Sequence, residues 1–512
     1  MFRISAKSRV SALPAARARG PLEFFREVRG DGGALMESAA FGSPGGTRSL
    51  VVPQGVIRLE LRGSEATYRA LSPMAESLLD ALGDGRARER GSLRMTFPTG
   101  PGSPASPDEE RLKAPSVLDS VRFLAGLVED DPPGLAIPAG IYGAFSYELV
   151  DCWEDLPKRP PDPWHEPDVN VVLALDTVLF DHASGEVRIV TRATGPSEQA
   201  AADERHRRYE KALLKRGGSR SSCRRATTTK GAEADVSDET FLASVEKFLR
   251  HIARGDIFQG VLSRGLTMRS RAETLDVYEV LRETNPSPYM FHVDLGDGAL
   301  LGASPETCLK LTGRSLEIRP IAGTAPRGFD DEGTIDEELD TRLAIGLLLD
   351  RKEQAEHAML VDLARNDVAR VSVPGTRRVA APFTVEKYSH VQHLVSGVEG
   401  QLRPDLDALH AYRAAANMGT LTGAPKLRAM ELIRETEPYA RGFYGGAVGY
   451  LLQDGTFDSC IAIRSLRYGR GRYYTRTGAG IVADSLPERE LRETEHKARA
   501  VRNAVAAAER AA

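Results

Sequence analysis

Hydrophobic and polar positions alternate along many short segments of the chain, and a helical period replaces this alternation in a few long ones. In the first half, the pattern predicts one helix over residues 72–82 among strands. Those strands are expected at Ala34–Ser38, Leu50–Val52, Ile57–Leu61, Gly140–Tyr147 and Val169–Phe180. In the second half, apolar residues recur every three or four positions in four helices, predicted at Ser237–Arg254, Glu338–Val371, Asp405–Met418 and Pro487–Arg510.

The remaining apolar segments of the second half are short and alternate as strands do. They are Ile257–Arg264, Met290–Val293, Leu300–Ser304, His390–Glu399, Gly445–Leu452, Asp458–Arg467 and Tyr473–Ala479. Several of these strands follow one another with no helix between them, which favours antiparallel pairing. We therefore expect an α+β fold and not a doubly wound parallel sheet.

Two segments rich in Pro, Gly, Ser or basic residues interrupt the pattern, at Pro98–Ser116 and from Lys215 to Asp235, and both are predicted to be loops. We take the second as a solvated linker between two regions. The expected organisation is a flexible N-terminal extension (residues 1–22), an N-terminal lobe (23–214), a basic linker (215–236) and a C-terminal domain (237–512).

Composition excludes several classes of protein. The 512 residues carry 68 Lys and Arg against 72 Asp and Glu, a formal charge of −4, so no basic field for nucleic acid is expected. No apolar run approaches the roughly 18–20 residues that span a bilayer. The four cysteines show no metal or disulfide spacing, which fits a reducing cytoplasm. The first 22 residues are basic and lack acids, so a targeting segment is the alternative to a frayed extension.

Two predicted helices carry Glu-x-x-Glu, at Glu353 and Glu356 and again at Glu490 and Glu493. Residues three apart share one helix face, and two buried unpaired carboxylates would cost several kcal/mol each. A bound cation would offset this cost, and a ligand set of carboxylates without histidine suits Mg²⁺. Taken singly, each pair is more typical of a solvated acidic stripe.

Other residues with catalytic chemistry lie in apolar strands. His393 shares a strand face with Val391 and Val395, as a core histidine would, and Arg464 needs an anionic partner if it is buried. Glycine-rich segments around residues 319–324, 419–426 and 477–480 can cradle an anion with backbone N–H groups, although none has the phosphate-loop spacing. Together these features predict a small polyanionic acid as ligand.

In the order in which they occur, the motifs resemble those of the chorismate-utilising enzymes, and specifically the anthranilate synthase component I family. They are Asn285–Phe291, Gly302–Glu306, Pro320–Thr324, Glu356–Asp367, Gly419–Lys426, Arg441–Gly449 and Gly478–Asp484. The resemblance covers nearly the whole chain. It implies a two-lobed fold in which antiparallel sheets pack as a sandwich with helices outside.

The resemblance also implies a Mg²⁺-dependent lyase that converts chorismate and ammonia to anthranilate and pyruvate, the first committed step of tryptophan biosynthesis. Glu356 and Glu493 would hold the metal, with Glu353 and Glu490 as auxiliary or outer ligands. The catalytic residues would be Glu306 as the acid for departure of the ring hydroxyl, His393 for pyruvate elimination, and Gln259. The substrate would contact Gly323, Thr324, Thr420, Tyr444, Arg464, Gly478, Ala479, Gly480 and Lys497.

Two positions distinguish branches of this family. Gln259 stands where isochorismate and salicylate synthases resemble one another in a lysine that activates water, and Ala322 stands where aminodeoxychorismate synthases show a lysine. Both favour ammonia as the nucleophile. Leu262 before Ser263 and Arg264 instead resembles the isochorismate branch, and we give the side-chain chemistry of Gln259 more weight.

The family resemblance further implies regulation and a partner. Leu35–Ser38 looks like the family's Leu-Leu-Glu-Ser motif, and Ser38 with Pro288, Tyr289 and Met290 would form a tryptophan feedback site. The two regions leave no room for a glutaminase of ordinary size, so we expect ammonia from solution or from a separate glutamine amidotransferase subunit. The alternatives are a 2-amino-2-deoxyisochorismate synthase of a specialised pathway, or a catalytically silent regulatory subunit that binds tryptophan or chorismate.

Overall fold

A computed structural model describes residues 3–38, 48–86, 88–100, 102, 106–135, 137–215, 231–330, 332–388 and 391–511. Over these residues the helices are α1 (Pro21–Val28), α2 (Ala75–Gly83), α3 (Asp108–Lys113), α4 (Leu118–Ala125), α5 (Gln199–Leu214), α6 (Asp238–Ala253), α7 (Thr274–Thr284), α8 (Glu337–Leu349), α9 (Arg351–Ala369), α10 (Ala408–Ala415), α11 (Lys426–Arg434) and α12 (Pro487–Ala511).

Strands alternate with these helices in both halves of the chain. Those of the first half are β1 (Ile4–Pro14), β2 (Ala34–Glu37), β3 (Arg48–Val52), β4 (Ile57–Arg62), β5 (Glu65–Ala70), β6 (Ser92–Thr96), β7 (Val128–Asp131), β8 (Gly140–Phe145), β9 (Val169–Ala174), β10 (Thr177–Asp181), β11 (Glu186–Ala193) and β12 (Glu233–Ala234). Those of the second half are β13 (Gln259–Arg269), β14 (Tyr289–Asp294), β15 (Gly298–Ser304), β16 (Thr307–Thr312), β17 (Ser315–Ile318), β18 (Ile321–Pro326), β19 (Arg378–Lys387), β20 (Val391–Gln401), β21 (Gly423–Ala424), β22 (Ala447–Leu452), β23 (Phe457–Ile461), β24 (Ser465–Gly469) and β25 (Arg472–Ile481).

The strands form two large sheets, which confirms the predicted α+β class. Sheet I has 13 strands in the order β12-β13-β25-β24-β15-β14-β2-β3-β10-β11-β1-β7, with β21 beside β13. Sheet II has 12 strands in the order β18-β20-β17-β16-β23-β22-β8-β9-β4-β5-β6, with β19 beside β20. Apart from the parallel pair of β1 and β7, the strand pairs of the described residues are antiparallel.

The hydrophobic cores show that the sheets face each other and that the helices cover their outer surfaces. Phe291 and Leu300 of sheet I and Val448 and Cys460 of sheet II share one core, which lies between the sheets. A second core joins sheet II to α2, α4, α9 and α10, and a third joins sheet I to α1, α5, α7 and α12. The sandwich with external helices is therefore confirmed.

The N-terminal segment differs from the prediction. Residues 1–22 were expected to form a flexible extension, but Ile4–Pro14 forms a strand of sheet I that pairs with β11 over eight residues and with β7. Its partners lie more than 100 residues away along the chain, so no local pattern indicates the pairing. The expectation of a frayed extension is wrong for these residues.

The proposed division at the linker does not separate the two sheets. Both sheets contain strands from before residue 215 and after residue 237, because β2 pairs with β14 and β8 pairs with β22. Most of the predicted linker, residues 216–230, lies outside the described residues, and β12 falls in its remainder. The predicted loop at Pro98–Ser116 contains the short helix α3.

Three predicted elements are each divided in two. Val169–Phe180 forms β9 of sheet II and β10 of sheet I, and Asp458–Arg467 forms β23 of sheet II and β24 of sheet I. The helix predicted over Glu338–Val371 is interrupted at Asp350, whose side chain caps α9 by accepting from the amides of Lys352 and Glu353. An apolar run predicts burial but not the sheet to which each part belongs.

Candidate active site

The candidate active site is built around two segments that cross from one sheet to the other. Glu306 follows β15 of sheet I and precedes β16 of sheet II, while Arg464 lies between β23 of sheet II and β24 of sheet I. The crossings are joined by two hydrogen bonds, from the Ile461 amide to the Glu306 carbonyl (3.0 Å) and from the Ala303 amide to the Arg464 carbonyl (3.2 Å). Two residues far apart in sequence are thereby held beside each other.

Arg464 was expected at a regular strand position. It instead adopts a left-handed backbone conformation with φ of 50°. Within the described part of the chain, no hydrogen bond or ion pair joins its guanidinium. Burial lowers its pKa, and nearby Tyr444 and Glu493 oppose that effect. A poorly solvated guanidinium without a protein partner is suited to bind an anionic ligand.

Glu306 is buried, and one of its carboxyl oxygens, Oε1, has no hydrogen-bond partner among the described residues. Burial raises its pKa to about 8, although the Thr420 hydroxyl, the Ile321 amide and the charge of Lys497 oppose the shift. The carboxyl group is therefore protonated at neutral pH. A neutral carboxylic acid with a free oxygen can donate a proton to a leaving group.

His393 lies on β20, flanked by β18 on one side and β19 on the other. As the strand pattern predicted, its side chain is buried. The Thr324 hydroxyl lies 3.0 Å and the Gly323 carbonyl 3.3 Å from its Nδ1. Burial lowers the pKa of His393 to about 4, and the charges of Arg464 and Lys497 act in the same direction. Its imidazole is neutral at neutral pH and can accept a proton. His390 lies outside the described residues.

The four glutamates of the two Glu-x-x-Glu pairs approach each other, since α9 and α12 bring them to one place. Burial raises the pKa of Glu356 to about 7, and the neighbouring charges of Glu353 and Glu493 raise it further. Burial and the charge of Glu493 also raise the pKa of Glu490. The two pairs therefore lie close enough for their carboxylates to repel one another, while the Glu493 side chain remains 44% exposed. We call these four glutamates the carboxylate cluster.

The cluster also contacts cationic and amide groups. Glu493 accepts from Lys497 Nζ at 2.6 Å, and Glu356 Oε1 accepts from Gln259 Nε2 at 3.0 Å. Among the described residues, no three His, Cys, Asp or Glu side chains are arranged in a ready metal site. The chemistry of the donors nevertheless fits a divalent cation, because hard oxygen ligands that repel one another gain from a shared positive charge.

Strand alternation on β25 separates the glycines from the alanine between them. Gly478 and Gly480 face the site, because a Cβ at Gly478 would lie 2.8 Å from the Tyr444 hydroxyl and one at Gly480 would lie 2.9 Å from Gln259 Nε2. Ala479 packs into a core with Ile481 on the opposite face. Ala479 can therefore offer a ligand only its backbone, and larger residues at 478 or 480 would fill the site.

Lys497 connects the glycine strand to the carboxylate cluster. Its ammonium group donates to the Gly478 carbonyl at 3.0 Å and also pairs with Glu493. Tyr444 is buried nearby, and the guanidinium of Arg441 lies 5.9 Å from the centre of its ring. Of the predicted substrate contacts, Thr420 and Lys497 influence Glu306, and Thr324, Arg464 and Lys497 lie near His393. Tyr444 lies beside Arg464 and Gly478.

The residues predicted to bind tryptophan line a separate region. Ser38, Pro288, Tyr289 and Met290 lie on the wall of a cavity of about 1060 Å³ between the sheets. The Tyr289 hydroxyl donates to Asp458 at 2.9 Å, which fixes one side of that wall. The four residues lie on one cavity wall because β2 pairs with β14, although the two strands are about 250 residues apart along the chain.

Sequence reasoning did not identify Tyr388, whose ring packs against His393 with 5.4 Å between the ring centres. Tyr388 stands in a segment whose composition is ordinary for a strand end. No signal in the sequence identifies it, because its contact with His393 is made between two different strands. Arg441, which begins one of the motifs named above, is buried against Tyr147 and Tyr444 and pairs with Glu437.

Comparison with known proteins agrees with this geometry. A model of the chorismate binding enzyme family matches residues 101–503, and the chain belongs to that family. It is 41% identical to anthranilate synthase component 1 of Escherichia coli K12 over 96% of this chain and 95% of that protein. It is also 41% identical to the pyocyanine-specific anthranilate synthase component 1 of Pseudomonas aeruginosa, over 90% and 88% of the two chains.

A solved structure supports the same relationship. The crystal structure of anthranilate synthase component I from Streptococcus pneumoniae TIGR4 aligns with a TM-score of 0.68 at 26% sequence identity. The alignment covers 96% of this chain and 98% of that one. The likeness therefore extends over both sheets.

Proposed function

We propose that this chain is the large subunit of an anthranilate synthase, which converts chorismate and ammonia to anthranilate, pyruvate and water in the first committed step of tryptophan biosynthesis. The observation that carries the proposal is the 41% identity to anthranilate synthase component 1 over 96% of the chain. The site supports it chemically, since it combines a neutral acid, a neutral imidazole and an unpaired guanidinium.

The first step joins ammonia to the ring and removes the ring hydroxyl. The nitrogen lone pair forms a bond to a ring carbon, the double bond shifts, and the carbon–oxygen bond of the hydroxyl breaks. Protonated Glu306 gives its proton to the departing oxygen, so that water leaves. Gln259 cannot remove a proton from water, and its carboxamide donates to Glu356. Ammonia is therefore favoured as nucleophile.

The second step removes pyruvate and makes the ring aromatic. His393 is neutral, so its imidazole can accept the proton from the ring carbon that carries the new amine. The electron pair of that bond forms the last ring double bond, while the bond to the enolpyruvyl oxygen breaks. The enolpyruvate takes up a proton and becomes pyruvate.

We propose that the substrate's two carboxylates are bound by groups on β25, on α12 and in the segments that precede β22 and β24. Arg464 and Lys497 supply positive charge, and Tyr444 and the backbone of residues 478–480 supply hydrogen bonds. We propose Glu356 and Glu493 as ligands of Mg²⁺, with Glu353 and Glu490 as auxiliary ligands. The bound ion would supply positive charge for the ring carboxylate and relieve the repulsion within the cluster.

The relatives' designation as a component 1 supports a separate partner that supplies ammonia. We propose a glutamine amidotransferase subunit for that role, with free ammonia as a substitute. We also propose a cytoplasmic location, which agrees with the free, buried thiols of Cys152, Cys308 and Cys460. Over the residues that the structure describes, no helix has the length and apolar character needed to cross a membrane.

The activity is tested by mixing the protein with chorismate, Mg²⁺ and an ammonium salt at mildly alkaline pH. Anthranilate and pyruvate in equal amounts are the expected products. Aminated intermediate without pyruvate would select the 2-amino-2-deoxyisochorismate synthase alternative, and isochorismate or salicylate would contradict the role given to Gln259. No turnover would favour a silent subunit that binds chorismate or tryptophan.

Glu493→Gln is expected to weaken the dependence on Mg²⁺, because it removes one formal charge from the carboxylate cluster. The Mg²⁺ concentration for half-maximal activity should rise by about 10- to 100-fold, and kcat should fall with it. Titration of activity with Mg²⁺ measures both quantities. Glu495→Gln is the matched control, since Glu495 is a half-exposed residue that contacts Arg264 and lies outside the cluster. Unchanged kinetics in Glu493→Gln would remove this residue from the metal site.

We propose that tryptophan binds the cavity lined by Ser38, Pro288, Tyr289 and Met290 and inhibits the enzyme. Ser38→Phe is expected to raise the tryptophan concentration for half inhibition by at least about 10-fold, because the phenylalanine side chain would occupy part of the cavity. Initial rates at several tryptophan concentrations measure the effect. Turnover without tryptophan should remain, and inhibition that persists in the variant would contradict the assignment of this pocket.

A further inference from the structure

Tyr388 lies at the end of β19 and packs its ring against the imidazole of His393. The ring centres are 5.4 Å apart and the planes are inclined by 59°. The second side-chain torsion of histidine has a broad preference, so the imidazole needs neighbours to fix its orientation. Thr324 fixes the Nδ1 end of His393 through the contact described above, and Tyr388 restrains the plane of the ring.

Tyr388 is itself held in place by polar groups. Its hydroxyl donates to Glu386 Oε2 at 2.9 Å, and the other oxygen of Glu386 pairs with Arg319. Glu386 stands directly opposite His393 in the pairing of β19 with β20. The backbone carbonyl of Tyr388 also accepts from Arg327. The ring that touches the imidazole is therefore fixed at its hydroxyl and at its backbone.

The Tyr388 ring is not among the buried residues of the hydrophobic core. Tyr388, Glu386 and Arg319 all line the large cavity between the sheets, and Tyr388 is only half-buried. The arrangement thus serves the orientation of His393 more than the stability of the fold.

We propose that Tyr388 is a positioning residue for His393 in the elimination of pyruvate, and that Glu386 and Arg319 hold Tyr388 in the required orientation. The inference rests on the proposed function, because it assigns His393 to the second step. Among the described residues no hydrogen bond joins Tyr388 to Glu306, so the first step should not depend on Tyr388. Loss of Tyr388 should separate the two steps.

Tyr388→Leu tests this separation, with chorismate consumption and anthranilate formation measured in the same reaction. Anthranilate formation is expected to fall by about 10-fold, since a small misplacement of a proton acceptor is costly. Chorismate consumption should change by less than about two-fold, and aminated intermediate should accumulate. Tyr388→Phe keeps the ring but loses the hydroxyl contact with Glu386, so anthranilate formation is expected to be about three-fold slower, with some intermediate released. Tyr468→Leu is the matched control, because it removes a half-buried ring that packs on Tyr473 at 4.6 Å.

Two results in Tyr388→Leu would overturn the role of Tyr388. One is an equal fall in the rates of chorismate consumption and anthranilate formation, and the other is anthranilate formation at the wild-type rate. If Tyr388→Leu does not fold, Tyr388→Phe decides: about three-fold slower anthranilate formation with some intermediate released supports the role, and a wild-type product ratio overturns it. Wild-type protein that released aminated intermediate and no pyruvate would instead overturn the proposed function, and the role of Tyr388 with it.

Discussion

Replacing Glu306 with glutamine is expected to lower kcat for anthranilate formation by about 10²- to 10⁴-fold, because the first step loses its proton donor. The amide is close in shape to the protonated acid and can occupy the same buried place, so the variant should fold normally. Steady-state rates with chorismate and ammonium measure the loss. Since both products depend on the first step, chorismate consumption and anthranilate formation should fall together.

The acid role also fixes the direction of the pH dependence. Burial raises the pKa of Glu306 to about 8, so the proton donor is present below this pH and is lost above it. With free ammonia held constant, kcat/KM should therefore decrease as the pH rises through about 8. His393, with a pKa near 4, is neutral over this range and should not add a second change.

Glu148→Gln provides a matched control for this pH dependence. Glu148 is also buried, and burial raises its pKa to about 7, but it accepts from the Arg441 amide outside the site. In Glu148→Gln, kcat/KM should still decrease as the pH rises through about 8. In Glu306→Gln, the residual kcat/KM should show no such decrease. A decrease that remained in Glu306→Gln would assign the titrating group to another residue.

The sequence predicted the local structure around the candidate site better than the position of the site in the fold. The three-residue spacing of the glutamates placed each pair on one helix face, and both helices exist. The alternation around His393 correctly predicted a buried side chain on a strand. These predictions succeeded because a helix face or a strand face is set by spacing within a few residues.

Features that depend on pairing between distant segments were missed or misjudged. The apolar run around Arg464 looks like one strand, yet the chain leaves sheet II and enters sheet I there. The same is true at Asp176, a buried carboxylate that pairs with Arg205 at the break between β9 and β10. Apolar periodicity reports burial, and between two packed sheets every strand is buried in the same way.

For a related reason, the predicted boundary at the linker does not coincide with a division between the two sheets. A basic, polar segment predicts a connection that packs poorly, but it does not show which strands meet across it. β2 lies beside β14 and β8 lies beside β22, so strands from both sides of the linker complete each sheet. That Ser38 and Tyr289 line one cavity could be expected only through the family resemblance, since nothing local connects the two residues.

Arg464→Met is expected to lower kcat/KM for chorismate by about 10²- to 10³-fold, which corresponds to roughly 3–4 kcal/mol for the loss of a poorly solvated charge partner. The physical reason is that the guanidinium makes no ion pair with the described residues, so its interaction energy is available to a substrate carboxylate. The thermal midpoint of substrate-free Arg464→Met should not fall. Over the part of the chain that the structure describes, the guanidinium makes no ion pair that the substitution would remove, and burial already disfavours the charged form of Arg464.

Arg441→Met is the matched control, since Arg441 is equally cationic but already satisfied. Its guanidinium donates to both oxygens of Glu437 and to the carbonyls of Leu421 and Val261. Removal would leave the buried Glu437 carboxylate without its ion-pair partner, so the thermal midpoint of this variant should fall clearly. Thermal unfolding of both variants, together with their kinetics, separates a binding charge from a structural one. A lower midpoint in Arg464→Met with little change in kcat/KM would show that Arg464 supports the fold and not the substrate.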